Sequence, residues 1–340
     1  MAIGKSKANG SKIKAFHLGG EQMARKKMIL DLDTGIDDAL AIAYAVADPE
    51  VDLIGIIGSY GNVYVEDGVQ NSLKILELLQ ATDVPVYQGL AHSSESDHFD
   101  RMPISAEIHG QNGIGEIDLP APKRQPEKGD ALDFFINAVE KYQQDLILVP
   151  TGPLTNLDAA IKRSPKLVDQ IGNITLMGGA VTVPGNVTNV AEANINQDAT
   201  AADHVFRQAP LTQVGLDVTL RTLLTRKETQ QWRDLKTKAG AAFADMVDYY
   251  IKAYEVTSPD LHGCALHDPF AVGVAIDPSF VDTIALNMYV TTDKKYYGRT
   301  TGDPARLSKP NPNVKVAVNA DVDRYLASFM EHLTGLFAKN

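Results

Sequence analysis

A single cysteine, Cys264, stands in a chain of 340 residues, so no intrachain disulfide is available and a reducing cytoplasm suits the protein. Cys264 itself reads as a small buried residue rather than a nucleophile. No stretch approaches the roughly 18 uninterrupted apolar residues that a spanning helix requires, so no membrane partner is expected. Nor does an apolar run near the start offer the core of a secretory signal. Residues 1–26 instead carry Lys5, Lys7, Lys12, Lys14, Arg25 and Lys26 against Glu21 alone, with few large apolar residues, the pattern of a disordered basic leader. Cations are scarce beyond it. The whole chain has a net charge of −11 despite that leader, and so acidic a body lacks the clustered Lys and Arg that phosphate contacts need, which excludes nucleic acid as a partner. No Pro/Gly/Ser-rich linker and no internal repeat divides residues 27–340, which read as one domain.

What is present is ordinary for a globular chain, with 44% hydrophobic and 22% charged residues, enough to build one large α/β domain. Short apolar runs at 28–32, 52–57, 84–87, 146–149, 174–177 and 212–215 read as strands. Amphipathic runs at 37–47, 66–80, 132–142, 154–161 and 199–207 read as helices between them. Strands with little polar alternation, separated by helices, predict a doubly wound, mostly parallel central sheet flanked by helices. A long helical stretch over 226–256 and a last helix over 322–337 follow. Residues 91–130, 180–198 and 257–266 lack regular periodicity, and loops this long in a compact domain are functional or mobile. In such a sheet the ligand sits outside the carboxyl ends of the strands. There fall Asp31–Asp38, Ser59-Tyr60-Gly61-Asn62, Pro150-Thr151-Gly152 and Gly178-Gly179.

The densest polar cluster is Asp31, Asp33, Asp37 and Asp38, four carboxylates in eight positions between an apolar run and a helical run. Like charges packed into a buried turn repel and lose hydration unless a cation or shared protons offset them, which points to a metal site. Gly35 permits a tight turn, and Ile36, Leu40, Ala43, Tyr44 and Ala47 follow helical spacing, so Asp37 and Asp38 fall where a helix dipole favours anions. A helix cap alone needs one acceptor, not four. A helix-loop-helix calcium loop counted from Asp31 wants Gly at position six and Glu at twelve, where Ile36 and Ile42 stand. An aspartyl-phosphate phosphatase with Asp31 as nucleophile remains an alternative, weakened by Gly35 at the fifth position of its pattern.

From Lys27 to the last helix the chain resembles the inosine-uridine nucleoside hydrolases. The family's Asp-x-Asp-Pro-Gly-x-Asp-Asp reads Asp31-Leu32-Asp33-Thr34-Gly35-Ile36-Asp37-Asp38 here, with Thr34 for the proline. Gly61-Asn62, His109-Gly110, Val149-Pro150-Thr151-Gly152-Pro153-Leu154-Thr155-Asn156, Leu176-Met177-Gly178-Gly179, Gly185-Asn186, Glu192-Ala193-Asn194 and His267-Asp268-Pro269 follow in order. The resemblance implies one Ca2+ ion held by Asp33, Asp38, Asp268 and the carbonyl of Thr151, all hard oxygen donors. It implies that Asn62, Asn186, Glu192 and Asn194 hold the ribose hydroxyls, with Asp37 supporting the metal cluster and the 2-hydroxyl.

Asp33 is expected to take a proton from the attacking water. His267 is expected either to serve as leaving-group acid or to orient Asp268. His109 is expected to cover substrate, and Tyr250 and Tyr254 to contact the base, with His262 competing for that place. The activity so implied is calcium-dependent hydrolysis of ribonucleosides to base and ribose, in nucleoside salvage, by a cytoplasmic homotetramer or homodimer. Three departures bear on the base: Ala193 replaces a common Phe, the interval to His267 is one residue longer, and residues 257–260 lack an Arg that nonspecific members carry. They favour uridine or another pyrimidine nucleoside, with inosine as a further substrate. The chain shows neither a Gly-rich phosphate loop nor an Arg cluster, so free nucleosides are expected over nucleotides. A nucleoside-binding protein without catalysis is the remaining alternative, but it should lack a ligand position, and all four are present.

Overall fold

The computed structural model describes residues 25–340, so the leader expected over 1–26 lies outside the described residues except for its last two. Lys26 opens the first strand. Apolar runs with both faces covered make the parallel strands β1 (Lys26–Leu32), β2 (Val51–Gly58), β3 (Val86–Gln88), β4 (Leu146–Pro150), β5 (Asn173–Met177) and β6 (Leu211–Val214). Two short antiparallel pairs join β7 (Leu223–Leu224) to β8 (Cys264–Ala265) and β10 (Met288–Val290) to β11 (Thr300–Gly302). Between and after those pairs, β9 (Val281–Leu286) and β12 (Val314–Ala320) complete an eight-stranded sheet of order β3-β2-β1-β4-β5-β6-β12-β9. β12 runs parallel to β6, and β9 alone is antiparallel, at the edge. Neither strand was expected from the sequence, because Lys315, Asn319 and Asp282 interrupt runs that are half exposed.

Helices α1 (Ile36–Ala47) and α2 (Val65–Leu78) follow the first two strands. The expected loop over 91–130 contains α3 (Pro103–His109), and α4 (Ala131–Tyr142), α5 (Thr155–Arg163) and α6 (Leu167–Gln170) come next. The loop over 180–198 contains α7 (Ala193–Gln197), followed by α8 (Ala199–Gln208) and the single turn α9 (Leu216–Thr219). The helix expected over 226–256 is two, α10 (Arg226–Asp234) and α11 (Lys238–Thr257). Lys236 adopts φ 57° between them, and the Thr237 side chain caps α11 by accepting from the Gly240 N–H. The hairpin seats Thr229 Oγ1 on Asp248 at 2.7 Å, a contact between residues far apart along a continuous helix, so hydrophobic periodicity alone did not reveal the break. α12 (His267–Ile276) and α13 (Val322–Phe337) complete the fold.

Apolar residues of α1, α2, α11, α12 and α13 pack as one core on one face of the sheet, and those of α4, α5 and α8 as a second on the other. The sheet winds outward in both directions from β1 and β4, which lie side by side. That reversal leaves a crevice at their carboxyl ends. Asp33 follows β1 and Thr151 follows β4, and the Thr151 N–H donates to the Asp31 carbonyl at 2.8 Å across the crevice.

Candidate active site

The turn after β1 is shaped by what surrounds it. Gly35 caps α1, and a Cβ there would stand 2.7 Å from His109 Nδ1 and 2.9 Å from Asn62 Nδ2, so only glycine lets those two side chains converge. Gly61, at φ +154°, lies so close to Asp33 that a Cβ would stand 2.0 Å from its Oδ2. This approach lets the Asn62 N–H donate to Asp33 Oδ2 at 2.7 Å while its Nδ2 donates to Asp33 Oδ1 at 3.2 Å. Asp38 Oδ2 accepts from the Gly35 N–H at 2.8 Å, and its Oδ1 accepts from Thr151 Oγ1 at 2.7 Å. Asp37 Oδ2 accepts from the Tyr250 hydroxyl at 3.3 Å, whereas its buried Oδ1 has no partner. Thr34, in the place of the family's proline, turns its hydroxyl to Ser72 at 2.8 Å.

Asp268, in the first turn of α12, completes the cluster: ligand oxygens of Asp37, Asp38 and Asp268 lie within 4.8 Å of one another. Burial pushes all of these carboxyls up. Asp37 reaches about 7, with Asp38 as the next cause, and Asp33 and Asp268 rise well above the usual carboxylate range, helped by Asp38 and Asp37 respectively. Asp38 also rises, against the pull of the Gly35 N–H. Buried carboxylates that repel one another, one with an orphaned oxygen, are a donor set that fits a hard divalent cation. Asp37 rather than Asp33 completes the tightest trio, a closeness that motif spacing did not show. Asp33 is fully buried, with both oxygens on Asn62.

Over this floor opens a cavity of about 530 Å3. Asp37, Asn62, His109, Thr151, Asn186, Glu192, Asn194, Tyr250, Tyr254, His267 and Asp268 all line it, and the fully buried Asp33 and Asp38 meet this lining through the Asn62 side chain. Glu192 caps α7, its carboxylate accepting from the N–H groups of Gly179, Asn194 and Ile195. Asn186 accepts from the Ala193 N–H, and Asn194 Nδ2 donates to the Thr151 carbonyl at 2.7 Å. The rest of the lining forms an apolar wall of Met102, Ile104, Ile108, Leu216 and Leu220 with the rings of Tyr250 and Tyr254.

Two histidines flank that wall. His109 Nδ1 accepts from the Ile36 N–H at 3.2 Å, which leaves the ring proton on Nε2, and burial pushes its pKa down to about 3. Its ring lies 5.3 Å from that of Tyr250. His267 Nε2 pairs with the Tyr254 hydroxyl at 2.7 Å and Nδ1 with Thr219 Oγ1 at 2.8 Å, and burial holds its pKa at about 4, so the ring is neutral near pH 7. His262 does not enter the cavity. It lines a separate space of about 420 Å3 beyond Tyr254, which corrects its expected place at the base. Asp31 does not line the cavity either: its carboxyl, raised by burial to about 7, accepts from Asn156 Nδ2. Its burial and its bond from Asn156 make that carboxyl a poor nucleophile for the phosphatase alternative.

Sequence reasoning missed Thr219 and Asp217. Asp217 accepts from the N–H groups of Val181 and Thr182 and so anchors the loop that carries Asn186 and Glu192. Both lie just past the end of β6, and the rule that strand ends carry the site would have flagged them. Among the described residues no helix is long and apolar enough to cross a membrane.

Comparison with known proteins agrees with this geometry. The family model for inosine-uridine preferring nucleoside hydrolase matches residues 28–327. A probable uridine nucleosidase 2 of Arabidopsis thaliana is 34% identical over 91% of this chain and 98% of its own. The pyrimidine-specific ribonucleoside hydrolase RihA of Escherichia fergusonii is 32% identical over 90% and 97%. A solved structure of a purine-preferring ribonucleoside hydrolase from Gardnerella vaginalis is 56% identical, with a TM-score of 0.92 over 93% of this chain and all of that one. With the acidic crevice, the paired tyrosines and a family match over nearly the whole sequence in agreement, the chain belongs to the inosine-uridine preferring nucleoside hydrolases, enzymes that hydrolyse N-ribosyl bonds.

Proposed function

We propose that the chain hydrolyses free ribonucleosides to base and ribose with one calcium ion held by Asp33, Asp38, Asp268 and the Thr151 carbonyl. The observation that carries this reading is the mixed lining of the cavity: its buried carboxylates suit a polyol and a developing cation, and its aromatic and apolar side chains suit a flat base. Bound there, a hard divalent ion supplies Lewis acidity toward a water and the sugar hydroxyls. Asp33 takes the proton of the attacking water, since each of its oxygens keeps a lone pair free beside the one bonded to Asn62. Asp37, through its unpartnered oxygen, and Asn62, Asn186, Glu192 and Asn194 hold hydroxyls. The acidic floor stabilises positive charge on the ribosyl group as the bond breaks. Tyr250, Tyr254 and His109 flank the base, and neutral His267, held by Thr219, polarises the Tyr254 hydroxyl toward the leaving group. Release of free base and ribose suits nucleoside salvage in the cytoplasm, and a homodimer or homotetramer follows from the family resemblance.

Base preference is pulled two ways. The relative that is 56% identical, more similar in sequence than the uridine- and pyrimidine-cleaving ones, is described as purine-preferring, so we place inosine and other purine ribonucleosides first. The uridine reading comes second, favoured by the departures in the sequence and by the uridine- and pyrimidine-cleaving relatives at 34% and 32%. Assaying ribonucleosides, 2-deoxynucleosides and nucleotides for free base and free ribose tests both. Stoichiometric base and ribose from nucleosides, with inosine ahead in kcat/KM, is expected. Uridine ahead would select the second reading, and phosphate release without base would overturn hydrolysis at the N-ribosyl bond.

A further inference from the structure

Arg101 lies outside every motif of the site, yet its guanidinium makes three hydrogen bonds that converge on it. Nε donates to the Asn62 carbonyl at 2.5 Å, and NH2 and NH1 donate to the carbonyls of Gly110 and Gln111 at 2.8 Å each. Those acceptors belong to two separate segments. Asn62 stands in the turn after β2 and fastens Asp33 through its N–H and side chain. Gly110 and Gln111 directly follow His109, whose ring rests against the Ile36 N–H. His109 and Asn62 meet over Gly35, and both line the nucleoside cavity.

We propose that Arg101 is a positioning residue of this site: its planar fork ties the Asn62 turn to the turn after His109, so that both substrate-facing side chains are in place before substrate arrives. Only a guanidinium presents donors in the fixed geometry that three carbonyls of two segments require, because an ammonium is a single point that cannot span them. Arg101 stands just before α3, which carries Ile104 and Ile108 of the apolar wall. Arg101 also borders a separate space of about 610 Å3 lined by Asp67 and Glu116. The inference rests on the nucleoside hydrolase reading for its kinetic arm alone.

The test compares Arg101→Lys, Arg101→Met and Arg101→Gly with the unaltered protein. Because the bonds order a binding surface rather than supply a reacting group, kcat/KM is expected to fall about 10- to 100-fold, with most of the loss in KM. The lysine variant should lose nearly as much as the methionine variant. Millimolar guanidinium should restore Arg101→Gly and methylammonium should not. Amide exchange over residues 103–117 should quicken in all three, while the rest of the sheet keeps its protection. Wild-type KM in Arg101→Lys, or unchanged exchange at 103–117 in Arg101→Met, would overturn the proposal. Should Arg101→Gly fail to fold, the lysine variant decides by its KM and exchange. If the unaltered protein released no base from any nucleoside, the function would be wrong, and exchange at 103–117 would still decide the clamp.

Discussion

The floor and the wall of the cavity are built on opposite principles. The floor is rigid: Asp33 is held by two bonds from Asn62, Asp38 by Gly35 and Thr151, and the loop bearing Glu192 by Asp217, all on the ends of central strands. Its groups are packed against their own electrostatic interest, since burial and like charge raise every carboxyl there. The wall comes from loops and helix ends, is mostly apolar, and remains open at Ile104, which is 39% exposed. Packed like charge on a hydrogen-bonded base suits a cation, and an apolar wall built from loops and helices suits the recognition of a base. The two regions therefore divide the work, the floor fitted to the chemistry and the wall to specificity.

If that division is right, changes to the floor cost most. Asp268→Ala should lower kcat by at least ~10³-fold with melting near that of the parent, because it removes a proposed metal ligand and relieves repulsion in one step. Turnover and thermal melting of the variant at saturating calcium check this, and activity within tenfold of the parent would break the assignment. Removing the substrate's 2-hydroxyl probes the same floor from the other side. It should lower kcat/KM by about 10²-fold or more, since Asp37 and its neighbours are left with unpaired polar groups. Equal rates on deoxyribo- and ribonucleosides would move the ribose elsewhere.

Smaller effects belong to the wall. Tyr254→Phe removes the hydroxyl that His267 grips and should cost about tenfold on inosine, and less on a nitrophenyl riboside whose leaving group needs no proton. Equal losses on the two substrates would make the pair a scaffold only.

Stability should follow the floor's charge. Asp31 and Asp37 have folded values of about 7 against 3.8 for an unperturbed Asp, so between those pH values the folded protein holds more protons than the unfolded chain. The metal-free protein should therefore lose stability as pH rises from about 4 to 7, and added calcium should raise its melting temperature more at pH 8 than at pH 5. A calcium effect independent of pH would show that these carboxyls are not raised.

The floor was readable in the sequence because its residues occur in tight, fixed intervals: Asp33, Asp37 and Asp38 fall between the end of β1 and the first turn of α1, and His267-Asp268 opens one helix. The first six of the seven parallel strands were readable for a similar reason, as apolar runs with little interruption. The wall was not. Met102 and Ile108 lie in a stretch with no periodicity, and Leu216 and Leu220 look like core until α9 turns them into the cavity. The break at Lys236 and the strand β12 depend on contacts across the chain, Thr229 with Asp248 and Val316 with Gln213, which no local pattern carries.

The central claim is that a cation on this acidic floor makes the site an N-ribosyl hydrolase. Titrating calcium into the metal-stripped enzyme with inosine, while free hypoxanthine and free ribose are both measured, tests it most directly. The account predicts negligible turnover without the ion, a rise to a plateau at one ion per chain, and equal amounts of base and ribose throughout. Full turnover in the presence of excess chelator would contradict it.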